Sequence, residues 1–275
     1  MKLHMRIALG QLNMVWEDRQ LSLQKAEKLM EQASAQKADV IFFPEMSLTG
    51  FSMNLAKIGE RTDASESIGL MKELACRYRI AVGFGWAALP EPGQEKGTNR
   101  FTLLDKDGRV LAEYAKLHPF RYGGEADVYQ GGERLVTVPF CGHQISLFVC
   151  YDLRFPEIFQ AVSDQSDLMV VIADWPASRR DHWLTLLKAR AIENQAYVAG
   201  VNCVGDIDGL SYCGDSSVFD PLGQMIGTLY GQEGIVVCDI AEDAGPLRHK
   251  FQMKKDRRND FYIQQYEKIR KVQSV

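Results

Sequence analysis

The chain has 275 residues, 46% of them hydrophobic, and a formal net charge of −4 from 32 Lys and Arg against 36 Asp and Glu. That length accommodates one large α/β domain with a substantial core, expected to span 1–275, with a tail from about 241 packing on the body or on a partner subunit. The modest charge, with no basic run carrying interleaved aromatics, excludes a nucleic-acid partner, and no apolar stretch approaches the ~20 residues that span a bilayer.

The predicted elements begin with a strand at Arg6–Gln11, entered directly from Met1 with no h-region or cleavage site, so no signal peptide is expected. A helix follows from about Asp18 to Lys37, capped by Asp18 and burying Leu23, Ala26, Met30 and Ala33 at spacings of three and four. Val40–Phe43 is an apolar strand that ends abruptly in Pro44-Glu45, before a loop closed by Gly50. A helix over about Glu66–Tyr78 leads into a strand at Ile80–Phe84. A hairpin joins Phe101–Leu104 to Arg109–Leu111 through Asp105-Lys-Asp-Gly108, and the second arm runs on to deliver Lys116 just before a loop.

His143–Val149 then reads as a buried strand with Cys150 at its carboxyl end, followed by Tyr151-Asp-Leu-Arg154-Phe-Pro156. Leu168–Ala173 is a further core strand. The Ser178–Asn194 helix carries Trp183, Leu187 and Ala191 along one side, which is either a core face or a partner-binding face. Cys203 and Cys213 flank a stretch read as a loop, Val204–Tyr212, and a second hairpin joins Ser217–Phe219 to Met225–Leu229. Lys254–Arg258 is a mixed-charge surface run, with Phe261 and Tyr262 beyond it available to dock on the body or on a second subunit. Strand–helix alternation closed by hairpins suits a mixed sheet with helices on its outer faces.

Three groups of different chemistry thus stand at strand ends: the carboxylate of Glu45, the ammonium of Lys116 and the thiol of Cys150. In a sheet of mostly parallel strands such ends meet at one edge, where open α/β sheets place their ligand crevice. Alone, a strand-end cysteine is more often a small core residue, and a strand-end Glu or Lys a cap or a solvated charge. Together they supply a base, a cation and a nucleophile. The six cysteines show no C-x-x-C pair or His/Cys cluster, so neither a metal nor a cofactor is expected, and without a secretory signal free thiols in a cytoplasmic protein are the expectation.

Phe43-Pro44-Glu45 with Thr49-Gly50-Phe51, Tyr114-Ala-Lys116-Leu-His118, Val149-Cys150-Tyr-Asp-Leu-Arg154-Phe-Pro156 and Ala189-Arg190-Ala191-Ile-Glu193-Asn194 occur in an order that resembles the nitrilase (carbon–nitrogen hydrolase) superfamily, from about Met5 to Asp239. The resemblance implies an α-β-β-α sandwich of two mixed sheets with helices outside, and a Glu45–Lys116–Cys150 triad. It implies Glu45 as general base, Cys150 as the nucleophile that forms a thioester with release of ammonia, and Lys116 with the backbone N–H of Tyr151 as oxyanion donors. It also implies that Glu125, in Gly124-Glu-Ala-Asp-Val-Tyr129, orients the lysine and the substrate; a solvated loop acid, with Asp127 nearby, is the plain alternative.

Within the superfamily, Trp175-Pro176-Ala177, His182-Trp183 and Gly214-Asp-Ser216 are most similar to the bacterial omega-amidase branch, which implies hydrolysis of 2-oxoglutaramate or 2-oxosuccinamate and a homodimer or higher homo-oligomer. Asp174 departs from the asparagine expected there. Arg154 is the candidate for the substrate carboxylate, with a structural ion pair to Glu157 or another acid as the alternative. Trp175, Phe120 and, more weakly, Tyr122 are candidate pocket walls, with core or interface packing as the alternative. Other readings are an amidase for an N-carbamoyl amine or deaminated glutathione, a catalytically silent binding member, and a redox-sensing thiol.

Overall fold

The computed structural model describes residues 4–241 and 245–273; the first three residues of the N-terminal run, and 242–244 and 274–275 of the expected tail, lie outside them. Alternating inward-facing Ile and Leu in β1 (Met5–Gln11) set the pattern for a first sheet, which continues through β2 (Val40–Phe42), β3 (Ala81–Ala88), β4 (Thr98–Leu104) and β5 (Val110–Ala115). A second sheet is made by β6 (Thr137–Phe140), β7 (His143–Val149), β8 (Leu168–Ala173), β9 (Tyr197–Asn202), β10 (Val204–Ile207), β11 (Leu210–Phe219) and β12 (Met225–Tyr230). The chain then returns as β13 (Gly234–Ile240) to the edge of the first sheet, so the spatial orders are β13-β1-β2-β3-β4-β5 and β10-β11-β9-β8-β7-β6, with β12 on β11.

Both sheets are mixed. Their centres are parallel, β1–β2–β3 in one and β7–β8–β9 in the other, and their flanks are antiparallel. The two sheets face each other across a layer of Ile7, Leu9, Val40, Phe42, Phe101, Ile145, Leu147, Val149, Val170 and Ile172. Because strand side chains alternate, the intervening residues face outward and need cover of their own. Ala8, Ile41 and Val82 receive α1 (Arg19–Ala35), which turns Ala26, Leu29, Met30 and Ala33 inward. A short helix, α2 (Leu55–Ile58), precedes α3 (Glu66–Tyr78), which covers the same face with Met71, Leu74 and Ala75.

Beyond a one-turn helix α4 (Glu125–Val128), the second sheet is covered by α5 (Pro156–Val162) and α6 (Arg180–Asn194). Phe148 of β7 stacks on Phe159 of α5 at 3.9 Å between ring centres. The result is the expected four-layer α-β-β-α sandwich.

Several boundaries differ from the sequence reading. In α1, Asp18 caps Leu21 N–H as expected, but Leu23 is only half-buried and Leu29 takes the core position. The Ile80 strand continues to Ala88 because β4 pairs along its whole length. Val204–Tyr212 is a hairpin, with Val204 opposite Cys213, and both flanking thiols are free. Trp183, Leu187 and Ala191 are fully buried under the second sheet, so that side of α6 is core and presents nothing to a partner.

The carboxyl-terminal segment adds α7 (Gly245–Lys250) and α8 (Asn259–Gln273). Arg248 donates to the carbonyls of Gln195 and Ser166, and Arg257 to that of Glu193, which fastens the segment to the ends of α5 and α6. Phe261, Tyr262, Ile263, Tyr266 and Ile269 stay exposed along α8.

Candidate active site

The three strand-end groups come from both sheets. β2 and β5 run in the same direction and release Glu45 and Lys116 at one edge of the first sheet, while β7 releases Cys150 from the second. The crevice therefore lies between two facing sheet edges rather than along one. Each turn is tight. After β2, Met46 is held at φ +42°, and Gly85 of β3 passes so close that a Cβ there would sit 2.4 Å from Met46 N. Ser47 N–H donates to Gly85 O at 2.9 Å, and Gly85 N–H to Ser47 Oγ at 3.0 Å, which pins the Glu45 turn against β3.

Cys150 itself has φ +46°, a left-handed conformation that costs an L-residue about 1–3 kcal/mol unless its surroundings hold it. Asp152 provides the hold. Tyr114 O–H and Val149 N–H donate to its Oδ2 at 2.7 and 3.1 Å; His118 N–H donates to Oδ1 at 3.0 Å, and His118 Nδ1 lies 2.8 Å from the same oxygen. One buried carboxylate thus ties β5 and the loop after it to the start of the 3-10 turn Cys150–Arg154.

Lys116 is 1% exposed, yet its charge is answered twice. Nζ donates to Glu45 Oε1 at 2.8 Å and to the two oxygens of Glu125 at 3.0 and 2.8 Å. Burial alone lowers an ammonium pKa, but Glu125 and Glu45 together raise this one well above its ordinary value. Asn99 Nδ2 donates to both carboxylates, at 2.6 and 2.9 Å, and Phe120 N–H donates to Glu125 Oε2 at 2.6 Å. Glu125 is therefore no solvated loop acid, whereas Asp127, two residues on, is exposed.

Burial raises the pKa of Glu45, Lys116 opposes that, and Glu125 adds to it. The Cys150 thiol is pushed well up, by burial first and then by Glu45. Both shifts favour a neutral thiol beside the carboxyl of Glu45.

These groups line a cavity of about 440 Å³. Trp175 lines it while packed in the outer core, its N–H groups fixed on Asn202 Oδ1 at 2.7 Å and Arg179 O at 2.9 Å. Phe120 lies 4.9 Å from the Tyr151 ring. Arg154 lies over the Trp175 ring at 4.7 Å, and Arg179 over Phe120 at 5.5 Å. Among the described residues neither guanidinium has a carboxylate partner; Arg154 reaches His182 Nδ1 at 3.3 Å, and Glu157 accepts from Tyr266 O–H instead. Burial and the neighbouring charge of Arg179 lower the Arg154 pKa. Arg154 and Arg179 thus stand as two cations on the cavity wall, which also carries the carboxylates of Glu17 and Asp208.

A family model described as carbon-nitrogen hydrolase matches residues 6–249. This chain belongs to the carbon–nitrogen hydrolase family. Similar proteins include the omega-amidase YafV of Yersinia enterocolitica, 42% identical over 80% of this chain and 83% of that protein. The 2-oxoglutaramate amidase of Bacillus subtilis is 31% identical over 88% and 93%. A solved structure, the CN-hydrolase superfamily protein XC1258 of Xanthomonas campestris with an arsenic adduct in its active site, matches with a TM-score of 0.85 at 32% identity, over 92% of this chain and 97% of that one. It is a hydrolase that acts on carbon–nitrogen bonds other than peptide bonds.

Of the residues singled out from sequence, the cavity gathers Glu45, Lys116, Cys150, Tyr151, Arg154, Trp175 and Phe120, with Glu125 directly behind Lys116. Tyr122 is not among them. It sits in the 3-10 turn Arg121–Gly123, 90% exposed, and Gly123 lines the cavity instead. Asn99, Asp152 and Arg179 were missed. Arg179 could have been suspected as a cation just past Trp175-Pro176; Asn99, between Thr98 and Arg100 at the polar start of β4, and Asp152, inside its motif, gave no separable signal. Among the described residues no group of three His, Cys, Asp or Glu side chains is placed to hold a metal, and no helix is long and apolar enough to cross a membrane.

Proposed function

We propose that this carbon–nitrogen hydrolase removes the terminal amide nitrogen of a short 2-oxo acid amide, 2-oxoglutaramate or 2-oxosuccinamate, through a Cys150 thioester. The observation that carries the reading is the pair of unanswered guanidiniums, Arg154 and Arg179, in the same cavity as the buried Glu45–Lys116–Cys150 group. The arginines take the free carboxylate of the substrate and point its far amide at the thiol.

Glu45 accepts the thiol proton as sulfur bonds to the amide carbon. Negative charge then develops on the carbonyl oxygen, where Lys116 Nζ and the Tyr151 N–H, at the open start of its 3-10 turn, donate to it. Collapse breaks the C–N bond, and the proton on Glu45 leaves with the nitrogen as ammonia. Water next gives a proton to Glu45 and its oxygen to the thioester carbon. The second collapse returns the proton to sulfur and frees the dicarboxylate. Glu125 holds Lys116 in place throughout.

The test is ammonia release from 2-oxoglutaramate, measured beside N-carbamoyl compounds and glutamine, for the wild type and Cys150→Ala. Release from the oxo-amide is expected, and its loss in the variant, where one small residue replaces another without disturbing the core. Activity confined to another amide would discard the substrate while keeping the nucleophile. Arg154→Met is expected to raise KM by about 10–100-fold with a smaller change in kcat, since the charge pair it removes holds substrate and transition state alike. A cytoplasmic homodimer or larger homo-oligomer is the proposed assembly, supported by the apolar row left open on α8 and tested by sedimentation equilibrium.

A further inference from the structure

Asp174 begins the loop after β8, and its backbone N–H donates to Glu45 Oε2 at 3.1 Å. Its side chain is buried against the same cavity, and among the described residues neither carboxyl oxygen has a hydrogen-bond partner. The titratable groups facing it are Glu45 after β2, Lys116 after β5, Cys203 between β9 and β10, and Tyr212 on β11, while Cys150 after β7 lines the same cavity. The Cys203 thiol and the Phe51 N–H approach it, but not in the geometry of a hydrogen bond. Lys116 is the only cation among these groups, and it is already bonded to both Glu45 and Glu125.

An ionised Asp174 would be the third carboxylate beside one ammonium, with no donor of its own. Such a charge is costly to bury, and the group keeps its proton instead. Two adjacent carboxyls share this problem, and the donors decide which one is charged. Glu45 has three, Lys116 Nζ, Asn99 Nδ2 and the Asp174 N–H, while the Asp174 carboxyl has none. We propose that Asp174 is a positioning residue that works as a neutral carboxylic acid: it leaves Glu45 as the anion, and loss of its proton closes the active pH range on the alkaline side.

A neutral acid has the shape and charge of the asparagine expected at this position. Above its own titration, a second negative charge stands beside the developing oxyanion and opposes it. Burial first, and the charge of Glu45 second, raise its pKa well above the ordinary carboxylate value, in agreement with this assignment. The kinetic part of the inference rests on Glu45 as the base; the protonation state itself does not.

The first measurement is the infrared spectrum of the whole protein labelled with carbon-13 aspartate, at about pH 8, far above the ordinary carboxylate range. A protonated-carboxyl band that moves with the label is expected, and it is absent from Asp174→Asn. No such band in the wild type overturns the proposal, whether or not the variant folds and whatever the substrate proves to be. The second is the pH dependence of kcat/KM, in which Asp174→Asn is expected to move the alkaline limb outward by ~1 unit or more and leave the acid limb in place. An alkaline limb at the wild-type position, or no turnover at any pH in a folded variant, likewise overturns it.

Discussion

At Lys116 one ammonium faces two carboxylates, and the division of labour between them follows from what else each touches. Glu125 is bound on both oxygens by Lys116 and again by Asn99 and Phe120 N–H, so it has no free lone pair directed at the thiol. Glu45 lies against Cys150 and can take its proton. Glu125 still acts on Glu45 at a distance, because its negative charge raises the Glu45 pKa. Glu125→Gln removes that charge and keeps the shape. Glu45 then gives up its proton at lower pH, so the acid limb of kcat/KM is expected to shift downward. At the same time Lys116 loses its firmest anchor, and kcat is expected to fall by up to about 10²-fold, the scale of a small misplacement at a reacting centre. A pH–rate profile reads both effects; an acid limb that stays put would uncouple the two glutamates.

The strained start of the 3-10 turn at Cys150 belongs to an element, and its support comes from Asp152 rather than from the turn itself. Asp152→Asn turns one acceptor oxygen into a donor that faces Tyr114 O–H and Val149 N–H or, with the amide flipped, His118 N–H. A buried polar group left unmatched costs about 1–3 kcal/mol, so the unfolding free energy is expected to fall by that much, read as a lower urea midpoint at unchanged slope. The rate of thioester formation is expected to drop with it, as Cys150 relaxes from φ +46°. An unfolding midpoint equal to wild type would show that Asp152 carries none of the turn's strain.

Elements of this kind were the part most legible in the sequence. β8, α3 and β7 stand where apolar runs and caps put them, because each is defined by neighbours a few residues away. The β10–β11 hairpin was not legible, since its apolar residues pack on the first sheet and the helices covering it, and leave no alternation to read. Arg154 and Tyr122 show the same limit within the site. Whether a strand-end loop turns a side chain into a cavity or out to water depends on segments far along the chain.

Across the whole molecule the chain forms two facing sheets, and the pairing of β13 with β1 completes the first of them. That pairing joins residues more than two hundred positions apart, and neither periodicity nor spacing could announce it. The same assembly buries Asp174, and this has a consequence for stability as well as rate. A carboxyl whose folded pKa is raised binds a proton that the unfolded chain has already lost. Its contribution is complete below the unfolded value, near ~4, and is lost as pH climbs through the folded one. Within that window the wild type should therefore lose stability relative to Asp174→Asn at about 1.4 kcal/mol per pH unit, the slope for one proton. Any constant cost of fitting the amide shifts the difference between the two proteins but not its slope. Chemical unfolding of both at several pH values above the ordinary carboxylate range measures that slope directly. A difference that stays flat with pH would mean that Asp174 is already ionised in the folded protein, and that some donor reaches its carboxylate.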